Sequence, residues 1–173
     1  MKNMEKTVNW AILSYDKWQL YVAKTTKGLC YVGSPGQSYA ELENWVQKRF
    51  PQASLLENEE ALHPYLEELH EYFAGIRRTF SLPVDVHGTA FQLAIWEALN
   101  QIPYGRTSSY SDIAKVIQKP TAVRAVGTAI GANPVLITVP CHRVIGKNGS
   151  ITGYRGGVEL KQFLLQLEAQ NEE

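Results

Sequence analysis

The residues with the most chemical potential form one short run, Val139-Pro140-Cys141-His142-Arg143-Val144. A thiol attacks carbon only as the thiolate, and a nearby histidine, a cation or a helix N-terminus favours that form. His142 and Arg143 are the local candidates. Adjacent side chains of an extended segment point to opposite faces, so His142 would act through a bridging water or after a turn. A third group must then orient its ring. Glu168 and other carboxylates are available, and spacing alone selects none of them. The plainer reading of such a pair is a structural one. Cys30, in the strand-like Leu29-Cys30-Tyr31, reads as a packed small hydrophobe.

A second constellation precedes it. A helix expected from Thr121 to about Gly131 has an inner face of Val123, Val126 and Ile130. Its outer face carries Thr121, Arg124, Ala125, Thr128 and Ala132. A helix so free of bulk can lie close to a sugar-phosphate surface or in a minor groove, whereas major-groove readers present several long polar side chains. Arg124 is the exception, one long cation able to reach a phosphate or enter a base stack. Tight helix packing is the competing explanation for the small residues.

Charge agrees with a phosphate-bearing partner. The chain is formally neutral, with 17 basic and 17 acidic side chains, yet Arg106, Lys115, Lys119, Arg124, Arg143, Lys147 and Arg155 face only Asp112 within residues 101–158. Such a local basic bias is an electrostatic footprint for nucleic acid. With 173 residues, 45% hydrophobic, the chain has room for one domain or two small ones. No apolar run approaches the ~20 residues of a membrane span, and the first ten residues lack a signal-peptide core. A cytoplasmic protein that contacts no membrane is expected. Two distant cysteines support neither a disulfide scaffold nor a Cys-rich zinc site.

These groups need elements to hold them. Strand-like runs at Asn9 to Tyr15, Trp18 to Lys24 and Leu29 to Val32 are separated by turns at Asp16-Lys17 and Thr26 to Gly28. Ser38 and Glu41 form a capping-box signature for a helix to about Arg49. A second helix, Glu59 to Ala74, sets Leu62, Leu66, Leu69 and Phe73 on one face and a solvated acidic face, Glu68 included, on the other. Residues 81–86 read as a strand or linker, which divides the chain into 1–84 and 85–173. Thr89 and Gln92 open a helix to Asn100, and Ser109 and Asp112 open one to about Gln118. Lys119-Pro120 and the helix from Thr121 complete a helix-turn-helix outline. A glycine loop, Gly153 to Gly157, precedes a last helix, Val158 to Glu168. The fold class expected is an α/β N-terminal domain, an antiparallel sheet with helices, followed by a mostly α, winged-helix-like C-terminal domain.

Taken in order, Tyr110 to Gly131 with Arg-Ala-Val-Gly at Arg124 to Gly127, Pro140 to Val144, and Gly153-Tyr154-Arg155-Gly156-Gly157 resemble the O6-alkylguanine-DNA alkyltransferase family. The likeness is strong over residues 85–168 and only in outline over 1–80. It implies direct reversal of damage: an alkyl group moves from guanine O6, with O4-alkylthymine as a second candidate substrate, onto the protein's own cysteine, once per molecule and without a cofactor. The partner it implies is duplex DNA carrying O6-alkylguanine, met by a monomer through the minor groove with the damaged nucleotide flipped out. By resemblance Cys141 is the acceptor, His142 the base acting through a water, and Glu168 the carboxylate that orients it. Tyr110 helps turn out the base and protonates N3, and Asn133 is a hinge between helix and active-site turn. Arg124 fills the vacated stack, with Thr121, Ala125 and Thr128 beside it on the DNA. Val144, Tyr154, Arg155 and Gly156 line the substrate pocket.

This chain departs from the family's pattern in two places. Some members bind an N-terminal structural zinc, but only Cys30 and scattered histidines stand there, so no metal is expected. Arg155 occupies a position that is often small in relatives, which bears on the width of the pocket. A non-catalytic helix-turn-helix regulator and a Cys141-His142-Glu168 hydrolase are the competing classes; the first leaves Pro-Cys-His-Arg-Val unexplained and the second lacks an oxyanion site.

Overall fold

The computed structural model describes residues 5–151 and 153–171. The chain divides into two compact units, Met1–His87 and Gly88–Glu173. In the first, strands β1 (Thr7–Tyr15), β2 (Trp18–Lys24) and β3 (Leu29–Val32) form an antiparallel meander. A two-residue turn joins β1 to β2, with Asp16 at φ 52°, a left-handed conformation that aspartate tolerates. A short strand missed in the sequence, β4 (Ser54–Glu57), adds in parallel to the free edge of β1 and gives the order β3-β2-β1-β4. Its Ser-Leu-Leu-Glu is too short and too exposed to show a period.

Helix α1 (Tyr39–Arg49) starts at the Ser38 cap and buries Leu42 and Val46 with Val8, Ala23, Cys30, Tyr31 and Phe50. Helix α2 (Glu59–Phe73) buries Leu62, Tyr65, Leu66, Leu69, Tyr72 and Phe73. Pro64 lies inside α2, beyond the first amides that lack intrahelical partners, and leaves the Glu60 carbonyl without its i+4 amide donor. Residues 81–86 form no regular strand. Only Leu29 and Val84 bridge in parallel, secured by Leu29 N–H to Pro83 O at 3.0 Å and Asp85 N–H to Leu29 O at 2.7 Å. Gly28 is required beside that bridge, since a Cβ there would lie 2.5 Å from Pro83 O.

Glu68 corrects the picture of a wholly solvated acidic face. It is buried, accepts the Ser81 amide at 3.1 Å and the Ser81 hydroxyl, and pairs with Arg77 at 3.1 Å. Its position on α2 turns it toward the returning chain, and the bonds of Ser81 and Arg77 offset its desolvation.

The second unit is mostly helical: α3 (Ala90–Asn100), α4 (Tyr110–Val116), α5 (Val123–Gly131) and α6 (Val158–Gln170), with a two-residue parallel pair, β5 (Ser108–Ser109) and β6 (Val144–Ile145). Reciprocal capping boxes are present at Thr89 with Gln92 and at Ser109 with Asp112, whereas at α1 Ser38 accepts the Glu41 amide at 3.3 Å with no reciprocal bond among the described residues. Trp96 is buried on α3 and donates Nε1–H to Ala129 O at 2.9 Å, tying α3 to α5.

The turn between α4 and α5 is longer than expected. Gln118 takes φ 62°, with Lys119 N–H on Ala114 O and Gln118 N–H on Lys115 O. That paired pattern closes a helix C-terminus and stops α4 at Val116. Helix α5 consequently begins at Val123 instead of Thr121, without a side-chain cap. Val123 is 36% exposed, so it leaves the inner face assigned to it, which belongs to Val126, Ala129 and Ile130.

Replacing Glu68 by Gln should destabilise the first unit by about 1–3 kcal/mol, because the charge-assisted bonds of Ser81 and Arg77 weaken together. Urea titration of parent and variant measures the difference; a shift within ±0.5 kcal/mol would assign Glu68 no role beyond that of a surface carboxylate.

Candidate active site

The segment leading to Cys141 is not extended. Ile137 has φ 72°, and Thr138 N–H reaches Leu136 O at 2.8 Å, a γ-turn of the rare, strained hand. A second tight turn follows at Pro140 (φ −83°, ψ 61°), where Cys141 N–H bonds Val139 O at 2.8 Å. That is the common inverse γ-turn, and the proline ring presets its φ. Cys141–Arg143 then form one 3-10 turn leading into β6. Two reversals and a 3-10 turn replace the alternation of a strand, so Cys141, His142 and Arg143 are all buried.

Asn133, fully buried two residues beyond α5, organises this turn. Its Nδ2 donates to Val139 O at 2.9 Å and to Cys141 Sγ at 3.2 Å, and its Oδ1 accepts Val135 N–H at 3.0 Å. The amide therefore aims a donor at the sulfur, where negative charge would reside. Burial pushes the Cys141 thiol up, while the Asn133 bond, Arg155 and Lys161 act in the opposite direction.

Glu168 closes the other side. His142 Nε2 lies 2.7 Å from Glu168 Oε2, Arg143 Nε donates to Oε1 at 2.8 Å and its terminal nitrogen to Oε2 at 3.0 Å, and Gly105 N–H reaches Oε1 at 3.2 Å. Burial alone would raise this carboxyl, but His142 and Arg143 outweigh it and hold the value at about 2. Glu168 is thus ionised at neutral pH and can only accept. Nε2 of His142 must carry the proton it shares with Glu168. Burial lowers the His142 pKa despite the carboxylate, so the ring is neutral near pH 7, and Nδ1 is its basic nitrogen.

Sequence reasoning placed Arg143 among surface cations; the structure removes it from that surface. Its third bond, to Ile102 O at 2.8 Å, completes its burial. Lys161 was also missed. It is 1% exposed, donates Nζ–H to Val144 O at 2.5 Å, and lies 6.0 Å from the centre of the Tyr154 ring. A lysine at an apolar position of α6 was the available signal, since Leu160, Lys161, Leu164 and Glu168 share its buried face.

The remaining residues fall into two groups. Val144, Tyr154 and Gly156 are buried beside the turn, and a Cβ on Gly156 would stand 2.6 Å from the Tyr154 ring. Arg155 is half-buried and donates Nε–H to Asn133 O at 3.0 Å. Tyr110 is half-buried at the start of α4, its ring facing Gly127 and its hydroxyl facing Gly153; burial and then Cys141 raise its pKa. Thr121, Arg124, Ala125 and Thr128 are exposed on and just before α5, and no hydrogen bond links them to the cysteine cluster among the described residues. The largest side chain on that face is Arg124, as expected. Among the described residues no group of His, Cys, Asp or Glu side chains is arranged to hold a metal ion.

The folded-state pKa of Glu168 lies below its unfolded value, so its contribution to stability is complete above about pH 4.5 and is lost as pH falls toward 2. Glu168→Gln should destabilise the second unit by roughly 3–5 kcal/mol at pH 7, because Arg143 stays buried without its counter-charge. The gap from the parent should narrow across that acid window. Urea unfolding at pH 7 and pH 3 measures both; an equal gap at the two values would refute the ion-pair account.

Comparison with known proteins agrees with this geometry over both units. Residues 9–86 match the family described as 6-O-methylguanine DNA methyltransferase, ribonuclease-like domain, and residues 90–170 match its DNA binding domain. The chain is 57% identical over 168 residues to the inducible methylated-DNA–protein-cysteine methyltransferase of Bacillus subtilis, covering 97% of this chain and 94% of that protein. It is 42% identical to a methylated-DNA–protein-cysteine methyltransferase of Methanosarcina acetivorans, over 92% and 97% of the two chains. Among solved structures, the O6-methylguanine methyltransferase of Mycobacterium tuberculosis superposes with a TM-score of 0.83 at 37% identity, over 96% of this chain and 95% of that one. The same organism's protein in complex with DNA gives 0.81 at 36% identity, over 95% and 94%. The chain belongs to the 6-O-methylguanine DNA methyltransferase family.

Proposed function

We propose that the protein repairs O6-alkylguanine in duplex DNA by moving the alkyl group irreversibly onto Cys141, each molecule acting once. The observation that carries the reading is one 3-10 turn that holds Cys141 Sγ under the Asn133 donor and, at the next residue, His142 paired with Glu168, preceded by a helix whose outer face has Arg124 as its one long side chain. The reading includes a cytoplasmic, monomeric protein that uses no cofactor. No helix among the described residues is long and apolar enough to cross a membrane.

The steps follow from the residues. Helix α5 enters the minor groove with its small residues against the backbone, and Arg124 takes the space left by the extruded nucleotide. The Cys141 proton passes through a water to Nδ1 of neutral His142, and Glu168 stabilises the imidazolium that results. The thiolate attacks the alkyl carbon, forming the S–C bond as the C–O6 bond breaks and its electron pair moves to the base. Tyr110 gives a proton to guanine N3, which neutralises the leaving group. Val144, Tyr154, Arg155 and Gly156 shape the pocket around the base. The product is a thioether.

Mass spectrometry after mixing protein with a duplex holding one O6-methylguanine tests this directly. One added methyl on the peptide containing Cys141, with repair stopping at one lesion per protein molecule, is the expected result. Cys141→Ser should abolish transfer and keep DNA binding. Unmodified Cys141 in a protein that binds the lesion would instead indicate a non-catalytic DNA-binding regulator. Arg124→Ala should slow repair in duplex by about 10-fold or more, in line with the few kcal/mol of base flipping, while leaving reaction with free O6-alkylguanine base nearly unchanged. Equal losses on both substrates would remove Arg124 from the flipping step.

A further inference from the structure

The glycine loop before α6 carries one long cationic side chain, at a position where the flanking glycines have none. Gly153 and Gly157 both take positive φ, 70° and 91°, so the backbone reverses at each end of the loop and Arg155 lies between the reversals. Its Nε donates to Asn133 O across 22 positions of sequence at 3.0 Å. Asn133 then uses its side chain on Val139 O, Val135 N–H and Cys141 Sγ, and its amide N–H on Ile130 O at 3.2 Å. Every polar group of Asn133 is thereby engaged. Two hydrogen bonds connect the Arg155 guanidinium to the sulfur.

We infer that the Arg155 side chain is a positioning residue for the thiol: through Asn133 it fixes the donor aimed at Cys141 Sγ, and its charge favours the thiolate. This deepens, and rests on, the reading of Cys141 as the alkyl acceptor. The Arg155 bond holds the main chain of Asn133, while the bonds to Val139 O and Val135 N–H orient its side-chain amide, so the donor is kept on the sulfur when the proton leaves. A cation on the same side lowers the free energy of the anion without touching the alkyl carbon.

The charged and titratable groups near Cys141 come from four segments. Lys161 and Glu168 come from α6, His142 and Arg143 from the 3-10 turn, Tyr110 from α4, and Tyr154 and Arg155 from the loop. Lys161 is committed to the Val144 carbonyl, and Arg143 is committed to Glu168. Arg155, like Lys161, is bonded to a neutral backbone carbonyl. Burial raises the Cys141 thiol pKa, and the Asn133 hydrogen bond with the cations of Arg155 and Lys161 act against it.

The test needs no DNA. The ultraviolet absorbance of the thiolate is titrated in the full-length protein, with Cys141→Ser subtracted to remove Cys30, for the parent, Arg155→Met and Arg155→Lys. Arg155→Met should raise the midpoint by about half to one pH unit, a three- to tenfold smaller thiolate fraction at neutral pH. Arg155→Lys, which keeps the charge and a donor, should restore most of it. Arg155→Met titrating with the parent's midpoint would overturn the inference, whatever its effect on thermal stability. Should Arg155→Met not fold, Arg155→Gln keeps a donor without the charge and carries the same two outcomes. Because the readout is the thiol itself, failure here leaves methyl transfer to Cys141 standing, and failure of methyl transfer leaves the coupling between Arg155 and the thiol measurable.

Discussion

The second unit depends on one buried carboxylate. Glu168 draws donors from His142, Arg143 and the Gly105 amide into a space closed to solvent. An isolated carboxylate there would take up a proton; two cationic or potentially cationic neighbours keep it charged instead. Its charge fixes which nitrogen of His142 holds the proton, and so which can act as a base. One turn of 3-10 helix, one tautomer and one end of α6 are thus decided by the same group. Helix α6 grips the cysteine turn twice, at Val144 O through Lys161 and at His142 and Arg143 through Glu168. Seven residues of helix span ~10 Å, so the two grips hold both the exit and the middle of the turn.

The thiol sits under opposing influences. Burial disfavours the thiolate, and the Asn133 donor with the cations of Arg155 and Lys161 favours it. A thiol shielded from water and held mostly protonated is a poor target for oxidants, which suits a group proposed to react once. The same seclusion strengthens each dipole aimed at the sulfur when substrate replaces water. The strained γ-turn at Ile137 belongs to this arrangement: a β-branched residue at φ 72° is costly, and a buried position between Leu136 and Val139 supplies the packing that maintains it.

Elements with a clear period or cap were legible in the sequence. The strands of the meander, α1 with its Ser38 cap, α3 with Thr89 and Gln92, and α4 with Ser109 and Asp112 all stand where propensity and capping place them. The parts that escaped depend on partners distant in the chain. Strand β4 exists because β1 offers an edge, Glu68 is buried because Ser81 returns to it, and Lys161 and Arg143 are internal because a carbonyl and a carboxylate await them. Charged residues read as surface by default, so burial by pairing is invisible to periodicity. The relation of Cys141 to His142 was also hidden. Adjacency suggests opposite faces only while the backbone is extended, and the turn at Pro140 removes that premise. The start of α5 was misplaced because Gln118 ends α4 in a conformation that glycine usually marks.

Helix α5 explains how two kinds of residue with no bond between them can serve one reaction. Arg124 stands in its first turn, exposed, and Asn133 follows its last, buried against the sulfur. Between them the helix is anchored by Val126, Ala129 and Ile130, and its backbone accepts the Trp96 indole N–H from α3. Nine residues of rigid helix, ~14 Å long, therefore set the distance from the group that would enter the base stack to the group that holds the thiol. Gly127 lies midway, with the Tyr110 ring at contact distance from where its Cβ would be. A Cβ at Gly127 would meet that ring at ordinary van der Waals distance, 3.7 Å, so only a longer side chain would push on the residue proposed to protonate the leaving base. The absence of bulk along α5 thus serves its buried neighbour as well as the groove, and one helix can set both the depth of its own approach to DNA and the place where a flipped base meets the sulfur.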